Sequence, residues 1–250
     1  MILNEKTQYI RGIELIREEI DSFKKYPYCL PAVKTLSTLD FHPRVTFIVG
    51  ENGTGKSTLL EAIAIAFGFN PEGGTKNFTF STNNTHSDLH KCIKLVKGFK
   101  RPEDGFFLRA ESFYNVASNI DELDKSGLGN KIINSYGGRS LHAQSHGESF
   151  FATFINRFYG KGLYLLDEPE AALSPSRQMA LISRIHDLVQ KASQFIIATH
   201  SPIIMAYPDA IILQLKDTYE LVEYTETEHY QITRQFLNNT ERMLNILMQP

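Results

Sequence analysis

The chain has 250 residues, of which 42% are hydrophobic and 22% charged, and its net charge is −2. This balance suits a globular domain with a sizeable core and excludes both a disordered chain and a strongly basic one drawn to polyanions by net charge. Its two cysteines, Cys29 and Cys92, form no CxxC pair, which excludes a zinc signature and fits a reducing compartment.

The first residues carry charge too early for a secretion signal. No apolar run approaches the roughly 18 residues of a membrane span. The expectation is a cytoplasmic protein with no membrane insertion of its own. Val45–Val49 is a β-branched apolar run that ends in glycine, the pattern of a buried strand. Lys56–Phe67 follows as an alanine-rich helix, and residues 70–85 read as a loop or hairpin rich in Gly, Asn and Thr. Ile93–Val96 and Phe106–Arg109 read as strands with a turn between them, and the stretch 70–109 is expected to add antiparallel strands. Residues 115–145 are polar and hold Gly127, Gly129, Gly137 and Gly138. They read as flexible and only partly helical. Helix returns over Glu148–Tyr159, then Leu163–Asp167 is an apolar strand. Ser176–Lys191 is an amphipathic helix with Pro175 near its first turn. Phe195–Thr199 is another buried strand, Ala210–Leu213 and Tyr219–Tyr224 suggest an edge pair, and Glu228–Met248 reads as one closing helix. Strands alternating with helices imply an α/β sheet.

Gly50-Glu51-Asn52-Gly53-Thr54-Gly55-Lys56-Ser57 matches GxxxxGK[ST] in full, between a strand and a helix. Such a loop turns several backbone N–H groups toward one anion, and the helix N-terminus adds positive potential. Lys56 is expected to reach the β- and γ-phosphates, and Ser57 to offer its hydroxyl to Mg²⁺. The strand Leu163–Asp167 ends in two carboxylates. Asp167 is the expected metal-shell residue, and Glu168 the expected general base for a water.

Four segments carry a family resemblance. Asn52 to Ile63, with Thr58 after the loop serine, resembles the phosphate loop of ABC-type ATPases of the SMC/RecF-like branch. Ser145-His146-Gly147-Glu148-Ser149 is similar to their signature in a Ser-x-Gly-Glu form. Asp167-Glu168-Pro169-Glu170-Ala171-Ala172-Leu173-Ser174 resembles the acidic strand end and the loop after it. Ala198-Thr199-His200-Ser201-Pro202 resembles the switch-histidine segment. The four occur in family order, and the layout is similar to small stand-alone bacterial ATPases of the AAA/ABC type.

The resemblance implies a P-loop α/β core sheet with an antiparallel portion, in one ATPase domain over 1–250 with a small lid insertion at about 112–144. It implies ATP and Mg²⁺ as ligands and ATP hydrolysis as the reaction. Two protomers would face head to tail, with Ser145, Gly147 and Glu148 of one against the γ-phosphate held by the other, as a homodimer formed on ATP binding. His200 would hold the γ-phosphate and orient the water. Ser145 also reads as a plain helix N-cap, and the two roles are compatible.

The family usually places a glutamine after the strand that follows the first helix. Here the stretch reads Phe106 to Ser112, and Glu111 is the candidate for that metal- and water-sensing place, with a surface carboxylate as the alternative. Tyr26 and Tyr28 are candidates for stacking on adenine, or for packing alone. Arg139 and the basic stretch of Lys94, Lys97, Lys100 and Arg101 read more simply as solvated surface. Between Glu111 and Ser145 lie only about thirty residues without heptads, which excludes a long coiled-coil arm. Three classes remain: an ATPase acting on another macromolecule, with DNA repair and phage defence as settings and nucleic acid among the partners; the nucleotide-binding subunit of a membrane transporter; and a non-hydrolysing module.

Overall fold

The computed structural model describes residues 2–76, 86–126 and 131–249. In chain order the elements are β1 (Ile10–Leu15), α1 (Pro31–Lys34), β2 (Thr38–Asp40), β3 (Val45–Gly50), α2 (Lys56–Phe67), β4 (Ile93–Lys97), β5 (Asp104–Arg109) and α3 (Phe113–Ser126). They continue as α4 (His146–Asn156), β6 (Gly162–Asp167), α5 (Pro175–Gln190), β7 (Gln194–Ala198), α6 (Pro202–Met205), β8 (Ala210–Leu215), β9 (Tyr219–Val222), α7 (Glu228–Asn238) and α8 (Thr240–Leu247).

The described strands make two sheets. Six strands run in the order β5-β6-β7-β3-β8-β9, parallel except for the antiparallel edge strand β9. Every residue of β3, β6 and β7 is buried, as expected for central strands covered on both faces. The smaller sheet is β2-β1-β4, wholly antiparallel. Of the two strands expected to add antiparallel pairing, β4 does so, whereas β5 joins the parallel sheet beside β6. Its Phe106 and Phe107 face opposite sides of that sheet and are both fully buried, one in each of the two core layers that cover the sheet. Of the loop-or-hairpin stretch 70–85, residues 77–85 lie outside the described residues, and Gly74 forms a single antiparallel bridge to Phe107.

One face of the six-stranded sheet packs on α2 and the small sheet, with Ile48, Leu163, Leu165 and Ile196 meeting Leu59, Leu60 and Ile63. The other face packs on α3, α4 and α5 through Phe47, Phe106, Tyr164, Phe150, Phe154 and Leu181. Gln194 joins the two sheets. Its buried amide accepts from the Tyr9 and Ile10 N–H groups and donates to the Ile10 and His42 carbonyls.

Of the stretch 115–145, read as flexible and only partly helical, the first part is helical, in α3 over Phe113–Ser126. Phe113, Val116, Ala117 and Ile120 recur at helical spacing and are all buried in the main core. Gly127 and Gly129 lie outside the described residues. The closing helix is two helices, broken at Asn239, whose φ and ψ are −137° and 42°. No described helix is long and apolar enough to cross a membrane.

Candidate functional site

Parallel pairing aligns the C-terminal ends of β3, β6 and β7, and the loops that follow converge at that edge, where open α/β sheets bind ligands. The loop after β3 holds Gly50, Glu51, Asn52, Gly53, Thr54 and Gly55 and leads straight into α2. Gly55 caps that helix with φ at +97°, and a Cβ there would lie 3.0 Å from the Leu30 side chain. An L side chain fits neither condition. Thr54 Oγ1 donates to the Glu51 carbonyl at 2.8 Å, and the Thr54 carbonyl accepts from Ala32 N–H at 2.9 Å, so the loop is braced against α1.

Lys56 is 4% exposed. Its Nζ donates to the Gly50 and Glu51 carbonyls at 2.8 and 2.7 Å. Burial lowers its pKa, and the Glu168 and Asp167 carboxylates oppose that shift. A cavity of about 270 Å³ is lined by Asn52, Gly53, Gly55, Lys56, Ser57 and Thr58, together with Tyr26, Leu30 and Glu168. Of the two candidate tyrosines, Tyr26 lines this cavity and is exposed. Tyr28 packs against the core beside α2, with its hydroxyl 3.5 Å from Cys92 Sγ.

Asp167 ends β6 and is also 4% exposed. The Ser57 hydroxyl hydrogen-bonds its carboxylate, yet burial outweighs this and pushes the pKa up to about 7. Its Oδ1 has no partner among the described residues. Arg109, opposite it in register on β5, brings Nε to 3.8 Å from Oδ2 and also pairs with Glu61 and Glu111. Glu111 lies after β5 on the Arg109 side, with a side chain 82% exposed and 3.4 Å from that guanidinium. Neither Arg109 nor Glu61 was singled out from the sequence. Their bond spans 48 residues and leaves no local pattern.

Glu168 follows with φ at 48° and ψ at 54°, the left-handed region. This turn swings its carboxylate toward His200, with Oε1 3.6 Å from Nε2. His200 follows β7 and is held by Glu170, whose carboxylate accepts the His200 backbone N–H and, at 2.8 Å, the Thr199 hydroxyl. The other ring nitrogen of His200, Nδ1, lies 2.9 Å from Nε2 of His229 on α7. Burial, then the Lys56 charge and His229, lower the His200 pKa to about 4. Glu170 sits within the acidic segment without a signal that marks its role, and His229 lies 29 residues beyond His200.

Ser145, Gly147 and Glu148 stand elsewhere, at the start of α4. Ser145 and Glu148 form a reciprocal capping box and are both exposed. The Ser145 hydroxyl donates to Glu148 Oε2 at 2.7 Å, and this bond lowers the Glu148 pKa. A Cβ on Gly147 would lie 2.5 Å from the Ala172 carbonyl, in the turn that follows Glu168. Arg139 is exposed. Lys94 pairs with Glu14 at 3.0 Å on the small sheet, away from the phosphate loop.

A family model described as an AAA domain matches residues 19–241. An ABC transporter G family member of Medicago truncatula is 26% identical over 180 residues, 63% of this chain but only 24% of that protein. A Caldanaerobacter subterraneus protein described as an ABC transporter ATP-binding protein is 26% identical over 185 residues, 68% of this chain and 76% of that one. Solved structures with similarity include the SMC head domain of Thermotoga maritima (18% identity, 74% of this chain and 92% of that one, TM-score 0.38). Another is cbiO1 of Clostridium perfringens, part of the ABC transporter complex cbiONQ (17%, 97% and 100%, TM-score 0.49).

Proposed function

This chain belongs to the AAA-domain family of ATP hydrolases, and we propose that it binds ATP between two head-to-tail copies of itself and hydrolyses it to drive a conformational cycle on another macromolecule. The observation that carries this reading is that Lys56 and Glu168 line the 270 Å³ cavity at one sheet edge, with His200 Nε2 3.6 Å from the Glu168 carboxylate. The backbone of residues 50–55, Lys56 and Thr58 hold the phosphates, and Tyr26 offers a face to the base. Glu168 takes a proton from a water whose oxygen attacks the γ-phosphorus as the bond to the bridging oxygen of ADP breaks. His200 orients that water and the γ-phosphate.

Ser57 and Asp167 fit a Mg²⁺ ion, since a buried carboxylate with an unpartnered oxygen beside a hydroxyl is a hard-cation donor set. The ion would lean on the phosphates too, because no group of three or more His, Cys, Asp or Glu among the described residues is arranged to hold a metal. When bound it neutralises charge on the phosphate oxygens. Glu111 is the outer candidate, reaching the site by breaking from Arg109.

Ser145 and Glu148 are exposed and make no contact with the phosphate loop of their own chain, which supports a role toward the partner's ATP. The described part of the stretch 112–144, α3 included, is read as a lid insertion in a single ATPase domain over 1–250. The decisive variant is Glu168→Gln, which retains ATP and lowers turnover by about a thousandfold. Light scattering of this variant should show a monomer converted to a dimer by Mg·ATP. A monomer in both states, or normal turnover, overturns the reading. The description of the Caldanaerobacter relative as an ABC transporter ATP-binding protein favours a second reading, the nucleotide-binding subunit of a transporter. Recovery of the native protein in washed membranes would support it, and recovery in the soluble fraction would support the first.

A further inference from the structure

α7 begins beside the phosphate loop and is tied down at that end. Its N-cap, Thr227, is fully buried. The Thr227 hydroxyl donates to the Tyr224 carbonyl at 2.8 Å and accepts from Tyr230 N–H. The Glu228 N–H donates to Gln214 Oε1 on β8 at 3.3 Å. The next residue is His229, whose position is therefore set by the core sheet and not by a mobile tail.

The two imidazoles share one hydrogen bond, His200 Nδ1 to His229 Nε2, at 2.9 Å. Burial lowers both pKa values, with Lys56 adding to each, while Glu228 and Glu51 oppose the shift at His229. Both rings are therefore neutral at neutral pH, and a bond between neutral imidazoles needs one N–H and one lone pair. Nε2 of His200 faces the Glu168 carboxylate at 3.6 Å, and a carboxylate there favours the proton on Nε2. That leaves Nδ1 of His200 as the acceptor and makes Nε2–H of His229 the donor. Nδ1 of His229 is then a bare lone pair, and it has no partner among the described residues.

We propose that His229 is a positioning residue for hydrolysis: by donating to Nδ1 it holds His200 as the Nε2–H tautomer, aimed at Glu168 and the space where γ-phosphate and water would meet. This rests on the role given to His200 above. It also makes the C-terminal helix part of the hydrolytic site, since any movement of α7 releases the His200 ring.

The test uses the full chain as wild type, His229→Ala, His229→Gln, His200→Ala and the double alanine variant, with ATP turnover and affinity for a fluorescent ATP analogue measured on each. His229→Ala should lower kcat about tenfold with analogue affinity unchanged, the signature of a lost orienting contact. Glutamine places an N–H near the position of Nε2, so His229→Gln should recover most of the rate. In the His200→Ala background His229→Ala should add no further loss, because the two act as a unit. Nitrogen chemical shifts of the His200 ring should show a protonated Nε2 in wild type and a tautomer mixture in His229→Ala. Wild-type kcat with an unchanged tautomer in His229→Ala, or an undiminished further loss in the His200→Ala background, overturns the proposal. If His200→Ala itself turns over normally, the role of His200 fails and this inference fails with it. A dead His200→Ala beside a normal His229→Ala sinks the inference alone.

Discussion

Lys56, Asp167, Glu168 and His200 are buried or half-buried and reach one sheet edge from three loops, whereas Ser145 and Glu148 stand exposed and spend their side chains on each other. The first group is assembled by long-range structure. Parallel register sets Asp167 beside Ala198 and puts Ile48 beside Ala198 as well, so the loops after β3, β6 and β7 must meet. The second group is assembled by one turn of helix. The difference teaches that one copy of the chain gathers the residues proposed to hold the phosphates and activate water. What Ser145 and Glu148 could add requires a ligand brought from outside their own chain.

The largest effect expected on ATP affinity breaks the first region. Lys56→Ala removes the buried ammonium that the phosphates would take over from the Gly50 and Glu51 carbonyls. A charge-assisted contact of this kind is worth about 3 kcal/mol, so ATP affinity should fall by roughly a hundredfold in a titration with a fluorescent analogue. Undiminished binding would show that the loop backbone alone holds the nucleotide. Folding should persist, because Glu51 is exposed and its carbonyl, once it loses Nζ, can bond water.

The same contrast explains what could be read from the chain. α2 has the predicted bounds, Lys56–Phe67, because phosphate-loop glycines before it and Gly68 after it mark both ends locally. β6 and β7 were legible as continuous apolar runs. α3 was also written in the sequence: Phe113, Val116, Ala117 and Ile120 are spaced i, i+3, i+4 and i+7, yet the glycines that follow masked the pattern. β1 and β2 pair across a loop of more than twenty residues, and neither has a turn signal to announce it. Arg109 with Glu61, Glu170 with His200, and His200 with His229 join residues distant in sequence. Each is a common polar residue on an ordinary element until the fold supplies its partner.

Gly147→Ala sharpens the comparison from the other side. The added methyl would sit 2.5 Å from the Ala172 carbonyl and 3.0 Å from the Arg177 guanidinium. Backbone cannot yield as a flexible side chain can, so the start of α4 must move away from the turn that follows Glu168. Overpacking of this kind costs about 1–3 kcal/mol and should lower the urea midpoint accordingly. ATP affinity of the single chain should stay as it is, because no part of α4 lines the cavity. A loss of affinity would mean that the two regions are coupled within one chain.

The smallest expected effect separates the two roles of Ser145. Ser145→Ala deletes the acceptor for the Glu148 N–H and costs about 1 kcal/mol of stability, as loss of an N-cap does. That result alone is what any capped helix would give. Ser145→Asp made together with Glu148→Gln is the better instrument, since aspartate caps a helix as well as serine does, its charge suits the helix N-terminus, and the Glu148 carboxylate that accepts from Ser145 at 2.7 Å no longer repels it. If Ser145 serves only its own helix, this pair of changes in the Glu168→Gln background keeps both the urea midpoint and the ATP-dependent dimer. If it faces the partner's γ-phosphate, the same variant keeps the midpoint and loses the dimer, because a carboxylate then meets a phosphate of like charge across the interface.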